Sequence, residues 1–345
     1  MILEKMSERN FENIHFRFDE KTGLRSIIAI HSTKGGPALG GCRFYPYPDE
    51  ATGLNDVMNL AHAMSYKAAL AGLPLGGGKS IIFGDAKTSK TQEKLEAFAE
   101  FVESLGGRYI TSVDSGTSPE DLNVFLTKTK HVTGMTVDHG GSGDPSPTTA
   151  LGTFVGIQAA AEIAFGSSDI SGKTITIQGV GNVGKILGKH LIEAGAKLII
   201  ADYDAAKAAE FKDQFPEVAV VDHTKIVATP ADIFAPCAMG GVINTDTINT
   251  LQCEVVAGAA NNPLASMDIA NALHAKGIVY APDFAINAGG LIHVADELEG
   301  FDPARVEKNT RRIFDTIKNI LTRANNENVS PAKIARDMAR EAIPA

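Results

Sequence analysis

Tryptophan is absent from the 345 residues, and aromatic residues make up only 6% of the chain. Beside 44% hydrophobic residues, this shortage fits an α/β protein better than an all-β sandwich. The three cysteines, Cys42, Cys237 and Cys253, lie far apart and form no CxxC pair. The sequence therefore predicts neither a disulfide framework nor a cysteine-ligated zinc site, and it favours a reducing, cytoplasmic location.

An excess of positive charge is also missing, since 32 basic and 41 acidic residues give a net charge of −9. A general affinity for nucleic acid or for an anionic membrane is therefore not expected. The N-terminus has no apolar segment typical of a signal peptide, and no apolar run approaches membrane-spanning length. No HExxH, GxSxG or clustered histidine pattern occurs, and no metal site is predicted.

The sequence divides into two parts that differ in their pattern of predicted strands and helices. The Gly- and Pro-rich segment at residues 139–147 has no periodicity and predicts a domain boundary, with one domain at 1–135 and another at 136–325. In the first, a Gly-rich turn (Gly76–Lys79) is predicted to lead into a strand (Ser80–Phe83). A final helix, about residues 326–345, is predicted to pack back on the first domain.

The second part alternates short apolar strands with helices. Strands are predicted at Thr174–Gln178 and Lys197–Asp202, helices at Gly184–Ala194 and Ala205–Gln214, and one long amphipathic helix at Arg305–Asn325. This alternation predicts a parallel, doubly wound sheet.

A GxGxxG motif lies between the first predicted strand and helix of that sheet. Its first glycine permits a tight turn, its second a close approach to pyrophosphate, and its third close packing of helix and strand. Asp202 ends the next strand, where a carboxylate hydrogen-bonds ribose hydroxyls and repels a 2′-phosphate. The motif therefore predicts NAD as cofactor, bound through Gly179, Gly181, Asn182, Val183, Gly184 and Asp202.

Two lysines lie in the segment MSYKAALAGLPLGGGKS (residues 64–80). Most lysines are solvated surface residues, but Lys79 stands between three glycines and an apolar strand, so partial enclosure is expected. Enclosure disfavours the charged ammonium and would suit a general base, while a second, charged Lys67 would suit a substrate carboxylate. Asp114 follows a predicted strand, and spacing alone favours a turn or cap role for it.

These segments together resemble the glutamate/leucine/phenylalanine/valine dehydrogenase family, in particular its small leucine and phenylalanine branch. The resemblance covers nearly the whole chain. It is carried by blocks in family order, which are GPALGGCRF (36–44), MSYKAALAGLPLGGGKSII (64–82), SVDSGTSPEDL (112–122), PSPTTALG (145–152), GVGNVG (179–184), ADIFAPCAMGGVIN (231–244), VVAGAANNPL (255–264) and YAPDFAINAGGLIHVADE (280–297).

The resemblance implies an N-terminal substrate and oligomerisation domain, a Rossmann-type NAD domain, a cleft between them and a homo-oligomer. It implies that Lys79 and Asp114 are catalytic and that Lys67 binds the substrate carboxylate. The other residues to which it gives a role are Leu39, Gly40, Gly41, Asn262, Leu291 and Val294 toward the substrate, and Thr149, Ala238 and Asn261 toward the cofactor.

The implied reaction is the reversible oxidative deamination of an L-amino acid to its 2-oxo acid and ammonia. Apolar residues at the pocket positions argue against glutamate, whose side-chain carboxylate would be buried unpaired. Leu39 favours leucine, valine and isoleucine, whereas GGGKS, PCAMGGVI and NAGGLIH resemble the phenylalanine or tryptophan enzymes.

Three alternatives stay open. The nearest is a phenylalanine dehydrogenase of the same branch. A non-catalytic NAD(H)-binding sensor belongs to a different class, and the joint presence of Lys67, Lys79 and Asp114 argues against it. A 2-hydroxy-acid dehydrogenase would need a His–carboxylate pair with an arginine, and no such constellation is suitably placed.

Overall fold

The computed structural model describes residues 1–238 and 240–344. The chain forms two compact units. The first comprises Met1–Asp144, His293–Asp302 and the residues from Ala339 onward, and the second comprises Pro145–Ile292 and Pro303–Met338. The sequence placed the boundary after residue 135 and assigned 136–325 to one domain, whereas the compact units divide after residue 144. Residue 345 of the predicted C-terminal helix lies outside the described residues, as does Met239 within the 231–244 block.

The elements before the first crossing between units are, in chain order, α1 (Ile2–Arg9), β1 (Asn13–Asp19), β2 (Leu24–Ser32), β3 (Ala38–Tyr45), α2 (Glu50–Leu70), β4 (Gly76–Phe83), α3 (Gln92–Glu103), β5 (Tyr109–Val113) and α4 (Pro119–Leu126). The strands form a sheet in the order β1-β2-β4-β3-β5. The β1–β2 and β2–β4 pairs are antiparallel, whereas β3 is parallel to both β4 and β5.

The predicted Gly76–Lys79 turn is wrong, because this segment is the first half of β4. A Cβ at Gly77 would overlap Ser65 of α2, and a Cβ at Gly78 would lie 2.7 Å from the ring of Tyr109. The glycines therefore let a helix and an aromatic ring approach the strand closely, rather than leaving an open space beside it.

The remaining elements are, in chain order, α5 (Ser146–Phe165), β6 (Thr174–Gln178), α6 (Asn182–Glu193), β7 (Lys197–Ala201), α7 (Ala205–Gln214), β8 (Ala219–Val220), β9 (Ile233–Pro236), β10 (Val255–Val256), α8 (Met267–Ala275), β11 (Val279–Tyr280), α9 (Asp283–Ile286), α10 (Gly289–Ala295), α11 (Pro303–Arg311), α12 (Ile313–Glu327) and α13 (Pro331–Ala342). The second sheet has the strand order β11-β10-β9-β6-β7-β8, and its strands pair in parallel.

This order reverses between β6 and β9, which is the arrangement of a doubly wound dinucleotide-binding fold. The predicted α/β class with a parallel second sheet is thus confirmed. The loops at the carboxyl ends of the strands meet at one edge of the sheet, where such folds bind their ligands.

The predicted single helix at Arg305–Asn325 is wrong in one respect, because it is divided into α11 and α12 at Arg312. There the backbone N–H of Arg312 bonds to the carbonyl oxygen of Asn309, three residues back instead of four, which tightens the chain locally.

The helix α5 has the length and hydropathy of a membrane span, with a mean hydropathy of 1.2. Half of that span is buried inside the protein. It packs against α6, α11 and α12. These contacts are typical of a core helix, so its apolar composition is explained by burial within its own unit.

Candidate active site

The centre of the first unit is an ion pair between Lys79 and Asp114. Lys79 lies in the middle of β4, and Asp114 follows β5 directly. The Lys79 Nζ lies 3.0 Å from Asp114 Oδ2, and the Lys79 side chain is only 8% exposed. The structure thus brings together the two residues predicted to be catalytic and encloses both of them.

A second cation, Arg43 of β3, contacts the same carboxylate and was missed by the sequence reasoning. Its Nε lies 2.9 Å from Asp114 Oδ2, and its Nη1 lies 2.8 Å from Asp56 Oδ2 in α2. The hydroxyl of Tyr47 donates a hydrogen bond to the same oxygen of Asp56. Strand alternation could have indicated Arg43, because it lies four residues from the predicted pocket residue Leu39 and therefore on the same face of β3.

Two nearby cations determine whether the Asp114 carboxyl group is ionised. Burial raises the pKa of its carboxyl group, but the nearby charges of Lys79 and Arg43 outweigh burial and lower that pKa to about 2. Asp114 is therefore a carboxylate throughout the neutral range. The adjacent Cys42 is fully buried, and burial raises the pKa of its thiol to about 12, so this cysteine is not a reactive thiolate.

The glycines predicted to bind substrate lie where strands pack closely. A Cβ at Gly40 would overlap the carbonyl oxygen of Gly78, and a Cβ at Gly41 would lie 2.9 Å from the Cβ of Asp114. A side chain at Gly41 would therefore displace Asp114. Lys67 lies in the last turn of α2 and is half-buried, and α2 packs against β4, which carries Lys79.

The three predicted apolar pocket residues are divided between the units. Leu39 and Val294 belong to the first unit, and Leu291 belongs to the second. Leu39 is paired with Gly77 in the β3–β4 register and is 1% exposed. By strand alternation Leu39 and Lys79 lie on the same face of this sheet. Their joint role toward a substrate side chain stays a prediction.

In the second unit the GxGxxG glycines occupy three different environments. Gly179 has a φ of +95°, which other residues rarely adopt. A Cβ at Gly184 would overlap the carbonyl oxygen of Gly179, so this position packs α6 against the end of β6. A Cβ at Gly181 would meet nothing within 4 Å, so open space lies at the start of α6.

This open space fits a pyrophosphate. Gly181 is the N-cap of α6, and the first N–H groups of the helix, at Asn182, Val183 and Gly184, have no intrahelical acceptors. Such N–H groups and the helix dipole attract phosphate oxygens. The environments of the glycines therefore match the division of roles expected for a dinucleotide-binding turn.

Asp202, just beyond β7, is held beside this turn. Its Oδ2 accepts the N–H of Val180 at 2.8 Å, and its Oδ1 accepts the N–H of Asp204 at 2.9 Å. A carboxylate has about four acceptor sites, so both oxygens retain capacity for ribose hydroxyls. The strand ends one residue earlier than predicted, at Ala201, and a role of Asp202 in cofactor binding stays a prediction.

The other predicted cofactor residues lie beyond neighbouring strands or at the start of a helix. Ala238 follows β9, and its Cβ lies 2.7 Å from where a Cβ of Gly179 would stand. Thr149, in the first turn of α5, donates its hydroxyl to the carbonyl of Pro145 at 3.0 Å. Asn261 Oδ1 accepts from Asn287 Nδ2 at 2.8 Å.

Asn262 adopts a left-handed backbone conformation with a φ of 49°. Its N–H is held by Asp283 Oδ2 at 2.8 Å. Asn287, which the sequence reasoning missed, is 5% exposed and also donates to the carbonyl of Ala259 at 3.1 Å. It thereby fixes the loop that carries Asn261. Its place in the NAGG segment at residues 287–290 could have indicated Asn287 from the sequence.

Comparison with protein families gives one result for the whole chain. Residues 9–131 match the dimerisation domain of the Glu/Leu/Phe/Val dehydrogenases, and residues 140–209 and 200–342 match the Glutamate/Leucine/Phenylalanine/Valine dehydrogenase domain. The chain belongs to this family. It is accordingly an amino-acid dehydrogenase, and the predicted family is confirmed.

Individual relatives carry different substrate names. The chain is 45% identical to a leucine dehydrogenase of Geobacillus stearothermophilus over 99% of its own length and 93% of that protein. It is 43% identical to a phenylalanine dehydrogenase of Bacillus thermotolerans over 100% of its length and 91% of that protein. The crystal structure of L-tryptophan dehydrogenase from Nostoc punctiforme is similar with a TM-score of 0.88, at 39% identity, covering 99% of this chain and 98% of that one.

Proposed function

We propose that the chain catalyses the NAD-dependent oxidative deamination of an apolar L-amino acid, with leucine, valine and isoleucine favoured. The observation that carries this proposal is the enclosed pair of Lys79 and Asp114 at 3.0 Å. A buried lysine beside a carboxylate that is ionised at neutral pH suits proton transfer to and from an amine and a water molecule. We further propose that the protein is cytoplasmic and works as a homo-oligomer, in line with the match to a dimerisation domain.

The proposed roles are those that the family resemblance implies for these positions, and the charge and position of each side chain support them. Lys67 binds the substrate carboxylate as a charged ammonium. Asp114 holds the substrate amine and moves its protons, and Lys79 in its neutral form takes a proton from the attacking water. Bound nicotinamide supplies the hydride acceptor. Gly181, the N–H groups at the start of α6 and Asp202 hold the dinucleotide, and Thr149, Asn261 and Asn262 lie toward its nicotinamide end.

The choice of NAD over NADP rests on Asp202. Its carboxylate lies beside the turn that would receive the adenosine half of the cofactor. A carboxylate there accepts hydrogen bonds from ribose hydroxyls and repels a 2′-phosphate. The next residue, Tyr203, carries no charge and is 89% exposed, so it offers no cation for a 2′-phosphate.

An aromatic substrate is the second candidate. It is supported by the phenylalanine dehydrogenase at 43% identity and by the L-tryptophan dehydrogenase structure, of which this chain covers 98%. The aliphatic proposal is supported by Leu39 on the Lys79 face of its sheet and by the leucine dehydrogenase at 45% identity. One methylene in an apolar pocket changes discrimination by only about 1–3 kcal/mol, so overlapping specificity is expected.

The test is an absorbance assay of NADH formation with NAD and each of L-leucine, L-valine, L-phenylalanine, L-tryptophan and L-glutamate. Lys79→Ala is expected to abolish turnover while it retains NADH binding. Lys128→Ala is the control, because Lys128 forms longer ion pairs, at 3.4 and 3.6 Å, with Glu96 and Glu100.

The outcomes separate the candidates. Turnover of aliphatic substrates that is lost in Lys79→Ala supports the proposal. Turnover of aromatic substrates alone keeps the mechanism and rejects the aliphatic preference. Binding of NADH without turnover of any of these amino acids identifies a sensor.

A further inference from the structure

Arg43 is held in the site by two ion pairs. Its guanidinium bridges two carboxylates through different nitrogen atoms, with Nε on Asp114 at 2.9 Å and Nη1 on Asp56 at 2.8 Å. Its side chain is 24% exposed. Tyr47 donates its hydroxyl to the same oxygen of Asp56. A planar guanidinium held at both ends has little freedom to turn away from Asp114.

The two cations share one oxygen. Lys79 Nζ and Arg43 Nε both lie within hydrogen-bonding distance of Asp114 Oδ2, at 3.0 and 2.9 Å. Neither of these ion pairs uses Oδ1. Two donors on one oxygen fix the rotation of the carboxylate, so the position of Oδ1 is fixed with it. A carboxylate has about four acceptor sites. Asp114 can therefore accept a substrate amine beside its two ion pairs and the backbone hydrogen bond from Ser115 without giving up these contacts.

Other ionisable groups also lie near Asp114. The charge of Asp114 acts on Cys42 of β3 and on Tyr109 of β5, but burial raises the pKa of both groups and keeps them neutral. Asp121 of α4 acts on Cys42 and is paired with Lys90 at 2.6 Å. Among the residues that the structure describes, the cations that form ion pairs with Asp114 are Lys79 and Arg43.

When Lys79 is neutral, the buried Asp114 carboxylate needs another cationic partner, and Arg43 is in place to be that partner. In the proposed reaction Lys79 acts as a base, and its ammonium charge is then absent. A buried carboxylate without a cationic partner is strongly disfavoured. Arg43 keeps its charge at any pH of interest, since Asp114 and Asp56 raise its pKa further despite burial.

We propose that Arg43 is a positioning residue of this dehydrogenase, which holds Asp114 in place and ionised while Lys79 is neutral. The proposal rests on the function proposed above for Lys79 and Asp114. Arg43 does not itself contact the reacting atoms in this role. It acts through the Asp114 carboxylate, and Asp56 and Tyr47 act through Arg43.

The test compares Arg43→Gln, Arg43→Lys and Asp56→Asn with Arg25→Gln as the matched control. Arg25 makes an exposed ion pair with Glu50 at 3.0 Å, so its removal is expected to leave turnover within about twofold of wild type. Two readouts are needed. One is the pH profile of kcat and kcat/KM, and the other is a 13C titration of the Asp114 carboxyl in aspartate-labelled protein, assigned by comparison with Asp114→Asn.

In Arg43→Gln the Asp114 pKa is expected to rise by about 1–2 units. The kcat is expected to fall about 10- to 100-fold, since small misplacements of catalytic groups cost about this much. The amino-acid KM changes less, because Arg43 does not contact substrate. Arg43→Lys restores the charge without the two-ended bridge, so it is expected to recover most of the pKa and part of kcat.

Arg43→Gln with a wild-type kcat and a wild-type Asp114 titration overturns the proposal. If Arg43→Gln does not fold, Asp56→Asn decides, because it frees only the outer end of the guanidinium. A kcat equal to wild type in that variant overturns the proposal. A lower kcat together with a raised Asp114 pKa supports it, whereas a lower kcat with a lowered Asp114 pKa overturns it, because loss of the Asp56 charge alone would lower that pKa. Failure of wild type to turn over any amino acid refutes the proposed function instead, and the titration then still shows whether Arg43 holds the charge of Asp114.

Discussion

A methyl group at Gly181 is expected to remove cofactor binding without harming the fold. The backbone there has a φ of −70° and a ψ of −161°, which alanine adopts without strain, and a Cβ would meet nothing within 4 Å. Replacing glycine by alanine at such a position stabilises a protein by about 0.4–1 kcal/mol, because the unfolded chain loses freedom. The same methyl would stand where the pyrophosphate is proposed to approach α6.

Gly184→Ala is the matched comparison, and it is expected to have the opposite effect on stability. A Cβ at Gly184 would overlap the carbonyl oxygen of Gly179, and that atom belongs to the backbone and cannot swing aside. Overpacking of this kind costs about 1–3 kcal/mol of unfolding free energy. The two variants differ by three positions in one motif, yet the structure predicts opposite effects on stability.

The assay is urea unfolding followed by circular dichroism, together with a fluorescence titration of NADH. Gly181→Ala is expected to unfold at the same or a higher urea concentration and to bind NADH at least tenfold more weakly, a loss of about 1.4 kcal/mol or more. Gly184→Ala is expected to unfold at a lower urea concentration. Wild-type NADH affinity in a well-folded Gly181→Ala would refute the assignment of this turn to the pyrophosphate.

Two further predictions concern single side chains. Asp202→Ala is expected to lower the ratio of kcat/KM for NAD over NADP at least about tenfold, because the carboxylate no longer repels a 2′-phosphate; an unchanged ratio in steady-state kinetics would contradict the NAD assignment. Burial lowers the pKa of His31 from 6.5 to about 4, so the unfolded chain binds a proton that the folded one does not as the pH falls from 6.5 toward 4. About 2–3 kcal/mol of stability is expected to be lost across that range. Urea unfolding at several pH values should show the loss, and His31→Gln should show less of it.

The second unit was the more predictable one. Its short apolar strands and the GxGxxG turn specify local structure directly, and β6 and α7 have the predicted bounds. The first unit contains antiparallel pairs and a glycine-rich strand, and these were harder to predict. A run of three glycines normally indicates a turn, and only the packing of Ser65 and Tyr109 against β4 shows why a strand needs them.

The candidate site could be predicted only where local sequence motifs indicated its residues. Lys79 was indicated by its place between three glycines and an apolar strand as well as by the family motifs. Asp114 was found through the family motifs, because spacing alone favoured a turn role for it. Arg43 was missed because its partners lie 71 and 13 residues away in sequence, at Asp114 and Asp56. Pairing of this kind depends on the strand order β4-β3-β5, which a single sequence does not reveal.

The charge balance of this cluster leads to a last prediction. With Lys79 neutral, Arg43 offsets only one of the two carboxylates, Asp114 and Asp56, so the cluster carries one excess negative charge. In the proposed reaction this excess stabilises the cationic iminium that forms on the substrate.

Asp114→Asn removes the excess charge at the oxygen nearest Lys79. It is expected to lower kcat about 10²- to 10³-fold while NADH affinity stays unchanged, since the dinucleotide turn lies in the other unit. Asp56→Asn removes the same charge behind Arg43 and is expected to cost less. Steady-state kinetics and the NADH titration measure both effects, and an equal loss of kcat in the two variants would show that total charge, rather than the placement of Asp114, controls the reaction.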